Sequence, residues 1–196
     1  MGRQTLTNEE VKAFRDAACE AVMQMLLNRE KVSLRLLAKR MGCSHATPYR
    51  YFQNKEALLM ASRAKCFQRF TDFLREQLQG VELPIERIGI LCHSYSDYAH
   101  THRTEFLFMF EWVHPEKGSW DLSEDGLAAW EVVESTVEQA IQKGALKGDV
   151  NAVAHQFWAA IHGVVMLSLS NRLQLGISTA KLLKDIANAL LLAHGG

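Results

Sequence analysis

Residues 33–58 read SLRLLAKRMGCSHATPYRYFQNKEAL. Leu34, Leu37, Ala38 and Met41 recur at i, i+3, i+4 and i+7, the apolar face of one helix. Gly42 follows, the residue best able to take a positive φ where a helix stops. Ser44 is a good N-cap, and about His45 to Tyr51 reads as a second, short helix with little apolar surface. Its Ser, His, Thr, Tyr and Arg side chains can hydrogen-bond to bases or phosphates. Two short helices across a glycine turn, the second polar, make a helix-turn-helix whose second helix is shaped for a major groove. The plainer alternative is a helical hairpin in an all-α core, and charge argues against it.

The 196-residue chain has 22 basic and 22 acidic residues, a formal net charge of zero. That zero conceals a split. Residues 1–65 hold 12 Lys/Arg and 6 Asp/Glu, a difference of +6, which leaves 10 and 16, or −6, for the rest. A polyanion would meet the basic end and be repelled by the other.

Over about residues 10–60 the chain resembles the TetR (tetracycline-repressor-like) family of bacterial transcription regulators. The resemblance rests on Ser33-Leu34, Leu37-Ala38, Gly42-Cys43-Ser44, Thr47, Tyr49-Arg50-Tyr51-Phe52 and Lys55-Glu56-Ala57-Leu58. The family's frequent Y-x-H-F is Y-R-Y-F here. Cys43 stands where Val is usual, and is expected as a small buried hydrophobe. Pro48 falls one turn into the recognition helix, near enough to its start to be tolerated. The resemblance implies a DNA-contacting set of Ser33, Arg35, Ser44, His45, Ala46, Thr47, Tyr49, Arg50, Tyr51 and Lys55. Tyr49 and Lys55 match phosphate contacts, and Lys55 sits at a helix N-terminus that already favours anions. His45, Ala46 and Thr47 would face the groove.

With 48% hydrophobic residues and three prolines, and with no alternating Val/Ile-rich run, the chain reads as all-α, with about nine helices. A three-helix DNA-binding domain over 1–55 is expected, then a helical effector-binding and dimerisation domain over 56–196. Helix 1 is predicted over about 8–28, helix 4 from after Asn54 toward Gly80, and helix 5 from Pro84 to about His100. Helix 6 should run near 105–113 and stop at Pro115, with a loop over 116–121. Helix 7 spans about 123–143, helix 8 runs from Asp149 to near Gly176, and helix 9 follows Ser178 to the C-terminus. Helix 4, at 1.5 Å per residue, would be roughly 35–40 Å long and could link the two functions mechanically. There is no signal-peptide pattern, and the longest apolar stretch, about Phe157 to Leu169, contains His162 and is short for a membrane span. Four scattered cysteines without a C-x-x-C pair fit a reducing cytoplasm.

Helix 8 is apolar around most of its circumference, and Leu182, Leu183, Ile186, Leu190 and Leu191 line helix 9. Such a helix needs cover on both sides. A two-fold partner is the simplest cover, giving a homodimer through helices 8 and 9, with Val165 and Leu183 expected to face outward. Trp158, His162 and Gly163 resemble the Trp-His-Gly signature of one class of TetR-type C-terminal domains.

Helices 5 to 8 are rich in aromatics and Met, as pockets for small apolar molecules are. The expected effector walls are Phe106, Met109, Phe110, Trp130 and Trp158, with His93, Asp97 and His162 as orienting polar groups; ordinary core packing is the competing reading of each. His93, Asp97 and His100 share a ridge, but the two histidines are about 10 Å apart along the axis, too far to share an ion. No metal or cofactor is implied. No G-x-G-x-x-G, P-loop, G-x-S-x-G or H-E-x-x-H motif occurs, so no enzyme is indicated. The resulting expectation is a cytoplasmic homodimeric repressor of a palindromic double-stranded DNA operator, released by a small, largely apolar effector. The alternatives are an activator, a regulator with no effector, and a small all-α enzyme or carrier.

Overall fold

The computed structural model describes residues 7–112, 124–173 and 176–195. Pro115 and the loop expected over 116–121 lie outside the described residues. Among them the chain forms eight α-helices: α1 (Asn8–Leu27), α2 (Leu34–Arg40), α3 (Lys55–Gln77), α4 (Pro84–Thr101), α5 (Arg103–Glu111), α6 (Glu124–Gln142), α7 (Val150–Leu169) and α8 (Thr179–His194). One 3-10 turn, Pro48–Arg50, stands between α2 and α3.

The helix starts follow from single side chains. Ser33 Oγ accepts from the Leu36 amide, Asp149 Oδ1 from Ala152 and Ser178 Oγ from Lys181, each satisfying a donor that the first turn leaves free. Asn54 Oδ1 does the same for Ala57 at the head of α3, at 2.7 Å. Thr7 and Glu10 form a reciprocal capping box on α1.

Packing draws two compact units, one from Met1–Cys66 with Leu107–Asp121, the other from Phe67–Phe106 with Leu122–Gly196. The division falls inside α3, eleven residues beyond the boundary read at 55/56. In the first unit α2 lies on α1 and on the 3-10 turn. Its core includes Ala18, Val22, Met25, Leu34, Leu37, Ala38, Phe52 and Leu58, all buried. Cys19 and Met23 join that core, whereas Val11, Phe14, Ala21 and Leu26 are half-buried. In the second unit α4 packs on α6, α7 and α8, with α6 on α7 and α7 on α8. Phe70 joins three of its rings, 5.3 Å from Tyr95, 5.0 Å from Tyr98 and 6.4 Å from Phe106 between centroids.

Three expectations need correction. The recognition helix over 45–51 is a turn followed by three 3-10 residues. Pro48 has no N–H to give to Ser44, and its ring crowds that carbonyl, so the segment closes by i→i+3 bonds: Thr47 to Ser44, Arg50 to Thr47, Tyr51 to Pro48. Cys43 is half-buried rather than buried. Helix 8 ends at Leu169, not near Gly176, because Asn171 takes a left-handed φ of 54° and the Arg172 amide folds back on Leu167 O at 2.9 Å.

Val165 and Leu183 also face the unit's own core, with exposures of 0% and 7%. The outer stripe of α7 is Ala159, Gly163 and Leu167. By length and composition α7 could cross a membrane. Seven of its apolar side chains, from Val153 to Leu169, are instead buried in the unit, which accounts for its hydropathy.

The fully buried Phe70 gives the sharpest stability expectation. Phe70→Ala should lower unfolding free energy by about 3–5 kcal/mol, read by chemical denaturation. A loss below about 1 kcal/mol would mean that the ring is not part of the core.

Candidate nucleic-acid interface and effector cluster

The first unit presents a polar run that its core does not absorb. Ser44, His45, Ala46, Tyr49 and Arg50 are exposed, as are Arg35 on α2 and Lys55 at the first position of α3. Ser33, Thr47 and Tyr51 are half-buried. The run is held by what lies within and after it. Pro48 is buried and Phe52 is 2% exposed. The Tyr51 ring stacks on Phe14, centroids 3.9 Å apart and planes 17° from parallel. Arg15 Nη1 donates to Tyr51 O at 2.7 Å, and the Arg15 guanidinium lies 4.8 Å from the Phe52 centroid.

These contacts sort the predicted residues by what remains free. Tyr51 spends its ring on α1. Ser44 Oγ and Thr47 Oγ1 lie 2.8 Å apart and bond to each other, and Ser33 Oγ is engaged as the α2 cap. Arg40 is held by Glu30, 2.8 Å away, and those hydrogen bonds, with one from Asn28, keep the Glu30 carboxyl below its usual range. Arg15, which positions the segment, has no local signal in the sequence because its partner is 36 residues away.

In the second unit the structure gathers Tyr95, Phe106, Trp130, Trp158 and His162. Tyr95 Oη lies 2.8 Å from His162 Nδ1 and 3.3 Å from Trp158 Nε1. An indole N–H only donates, so the phenol oxygen accepts from Trp158, and the direction of its bond with His162 Nδ1 follows the imidazole tautomer. Burial drives the Tyr95 phenol far up, opposed by the weaker effect of Trp158's bond, so the hydroxyl keeps its proton. Phe106 lies 5.9 Å from the His162 ring, and Trp130 lies 6.1 Å from Trp158, edge to face.

The other expected effector residues are elsewhere. His93 and Asp97 pair at 3.2 Å on the exposed side of α4, with side chains 75% and 55% exposed. They do not orient anything in the aromatic cluster. Met109 and Phe110 belong to the first unit, where Met109 is fully buried and its carbonyl accepts from Arg63 Nε at 2.8 Å. His100 turns to Ser96 O and to Ser168 Oγ, 2.9 Å away. Among the described residues no three His, Cys, Asp or Glu side chains are grouped to hold a metal. The void beside the cluster, bounded by Ile88, Cys92, Tyr95, Val137 and Trp158 among others, has about 20 Å³, room for about one water. Burial pushes the Cys92 thiol there up to about 12.

A basic helical unit with an anchored polar segment between two helices defines a helix-turn-helix DNA-binding protein. Residues 29–61 match the bacterial regulatory proteins of the tetR family, and residues 89–190 match the tetracycline-repressor-like C-terminal domain. The second match covers more than half of the chain, and the chain belongs to the TetR family of transcription regulators; it is not an enzyme. No curated protein matches it. Among solved structures, a protein of unknown function from Rhodococcus sp. RHA1 is 23% identical, with 99% of this chain and 100% of that one covered and a TM-score of 0.82. A TetR family transcription regulator from Marinobacter aquaeolei VT8 is 20% identical over 96% and 99%, with a TM-score of 0.67. The fatty acid degradation regulator FadR from Bacillus halodurans is 19% identical over 97% and 100%, with a TM-score of 0.64. These likenesses are of fold.

Substitutions at Lys55 and Thr47 would separate two kinds of DNA contact, to phosphates and to base edges. Lys55→Ala should weaken binding on all sequences and reduce the salt slope by about one counterion. Thr47→Ala should change base preference instead, as expected for a methyl-bearing side chain at a base edge. Gel shifts across a salt series check both, and an unchanged slope for Lys55→Ala removes that phosphate contact.

Proposed function

We propose that the protein is a cytoplasmic repressor that binds a palindromic operator as a homodimer and is released by a small, largely apolar effector. The observation that carries the DNA-binding part is the polar 44–50 run, pinned by Pro48 and Phe52, within the first 65 residues, whose charge is +6. His45, Ala46 and Thr47 read bases, while Ser33, Arg35, Ser44, Tyr49, Arg50, Tyr51 and Lys55 fix the register on phosphates. Footprinting on the DNA upstream of its own gene is the primary test. A protected palindrome supports the reading, and no protected site on any fragment defeats it.

The dimer is assigned to α7 and α8, the eighth and ninth helices of the sequence reading. The support is the outward stripe Ala159, Gly163 and Leu167, and Leu192, which is 85% exposed on α8. A Cβ on Gly163 would meet nothing within 4 Å in its own chain. Gly in mid-helix costs about 1 kcal/mol relative to Ala, and close approach of a partner helix there is a reason to keep it. Gly163→Leu should therefore leave the protomer folded and dissociate the dimer, with operator affinity falling to that of a half-site. Sedimentation velocity beside circular dichroism decides this. A folded dimer of unchanged affinity removes Gly163 from the interface.

The effector is placed at the Trp130–Trp158–His162 cluster around Tyr95 and Phe106. Effector binding would act through α3, whose first turns belong to the DNA-binding unit and whose last turns belong to the second. The required coupling is ~1–3 kcal/mol, supplied by preference for the non-binding state. Trp158→Ala should blunt release by effector and leave operator affinity in its absence near normal. Loss of melting temperature and DNA binding together would instead mark Trp158 as core. The small void favours one second reading, a regulator that binds its operator constitutively, and an effector screen on the footprinted complex separates the two.

A further inference from the structure

A separate opening lies where the last turns of α3, the first turn of α4 and the middle of α6 meet, all within the second unit. It is an open cleft of about 360 Å³, within the range of small-molecule sites. Two guanidiniums line it, Arg75 and Arg87, against one carboxylate, Glu131. Arg87 is held in place by Nη1, which donates to Leu78 O at 3.0 Å and Val81 O at 2.8 Å at the end of α3. Its Nε–H is buried and has no partner among the described residues. Nε and Nη2 form the edge of a guanidinium that binds a carboxylate by donating two parallel bonds, and that edge carries the buried Nε–H without a partner. Arg75 is exposed and makes no hydrogen bond or ion pair among the described residues.

The remaining lining narrows the ligand. The Thr136 hydroxyl has already donated to Val132 O at 2.7 Å, so it offers an acceptor, and the arginines must hold the negative charge. Two cations against one carboxylate leave the cleft at +1, which suits a monoanion better than a dianion. Leu78 and Val132 add apolar wall.

We infer that this cleft binds a small monocarboxylate with an apolar body, its carboxylate drawn to the unpartnered Nε edge of Arg87 with Arg75 as second cation. The cleft shares no lining residue with the void beside Tyr95 and Trp158, so the inference does not rest on the effector reading above.

Calorimetric titration of the full chain with hexanoate and benzoate tests it, with hexanamide, benzamide and inorganic phosphate as comparators. At least one of the two acids should bind, and its amide and phosphate should bind about tenfold more weakly or worse. Arg75→Gln should weaken the acid about tenfold without moving the melting temperature, because its side chain holds no partner, and Arg75→Lys should restore part of the affinity. Arg87→Gln should abolish binding, but it also removes the bonds to Leu78 and Val81, so the Arg75 variants decide. No binding by either acid, amides binding as well as acids, phosphate binding more tightly, or Arg75→Gln binding as wild type would each overturn the assignment.

Discussion

A short run of polar residues cannot hold one shape by its own packing, and that constraint governs the DNA-binding unit. Fixing each backbone residue costs about 1–2 kcal/mol of conformational entropy, and residues 44–50 bury only Pro48 completely. The ordering therefore comes from the flanks. Pro48 narrows the unfolded chain and fills the core, while Phe52 sinks beside it and α1 holds both Tyr51 and Phe52 through Phe14 and Arg15. The proline that shortens the recognition helix to a 3-10 turn is thus also its anchor. Side chains freed from packing at 45, 46, 49 and 50 are then available to a partner at fixed positions.

The second unit solves a different problem, which is how to bury a phenol. A hydroxyl taken from water without a partner costs about 1–3 kcal/mol by the evidence of protein substitutions. Tyr95 avoids that cost by standing between Trp158 Nε1, which donates to it, and His162 Nδ1, 2.8 Å away. Each of the three groups thereby fixes the others. Phe70 and Phe106 pack on the Tyr95 ring at 5.3 and 5.4 Å between centroids. Aromatic rings from α3, α4 and α5 therefore converge on a polar triad that α4 and α7 complete.

What could be read from the sequence divides along the same physical lines. Caps at Ser33, Asp149 and Ser178, and the starts and stops of most helices, depend on neighbours a few residues away and were legible. So was the helix-turn-helix, whose residues lie within one 26-residue stretch. The inner face of α4 was also legible, since Ile88, Leu91, Cys92, Tyr95, Tyr98 and Ala99 keep a helical period and leave 93, 97 and 100 outside. Placing His93 and Asp97 in a pocket went against that pattern. The faces of α7 were not legible, because a helix apolar nearly all round has periodicity without phase. Val165 was read as outward for that reason, though it is fully buried. The Arg15–Tyr51 and Tyr95–His162 contacts span 36 and 67 residues, and no local spacing carries them.

The closed state of the aromatic cluster constrains any effector that would use it. A void of about 20 Å³ admits nothing larger than a water. A small organic molecule would have to displace Trp158, Tyr95 or His162 and so part at least one of the two bonds at the phenol. Packed cores do not deform continuously, so such an opening is a second discrete arrangement rather than a small strain. Its free energy would have to come from the ligand's own contacts, and the apparent affinity would fall by the fraction of protein already open. The same cost supplies selectivity for state. A ligand that binds only the open cluster necessarily shifts the population toward it, and release of an operator follows where that open arrangement is also the one with the weaker operator affinity. A tightly closed cluster is therefore compatible with sensing. It requires that the open form, and not the form seen here, be both the one the effector binds and the one that holds the operator more weakly.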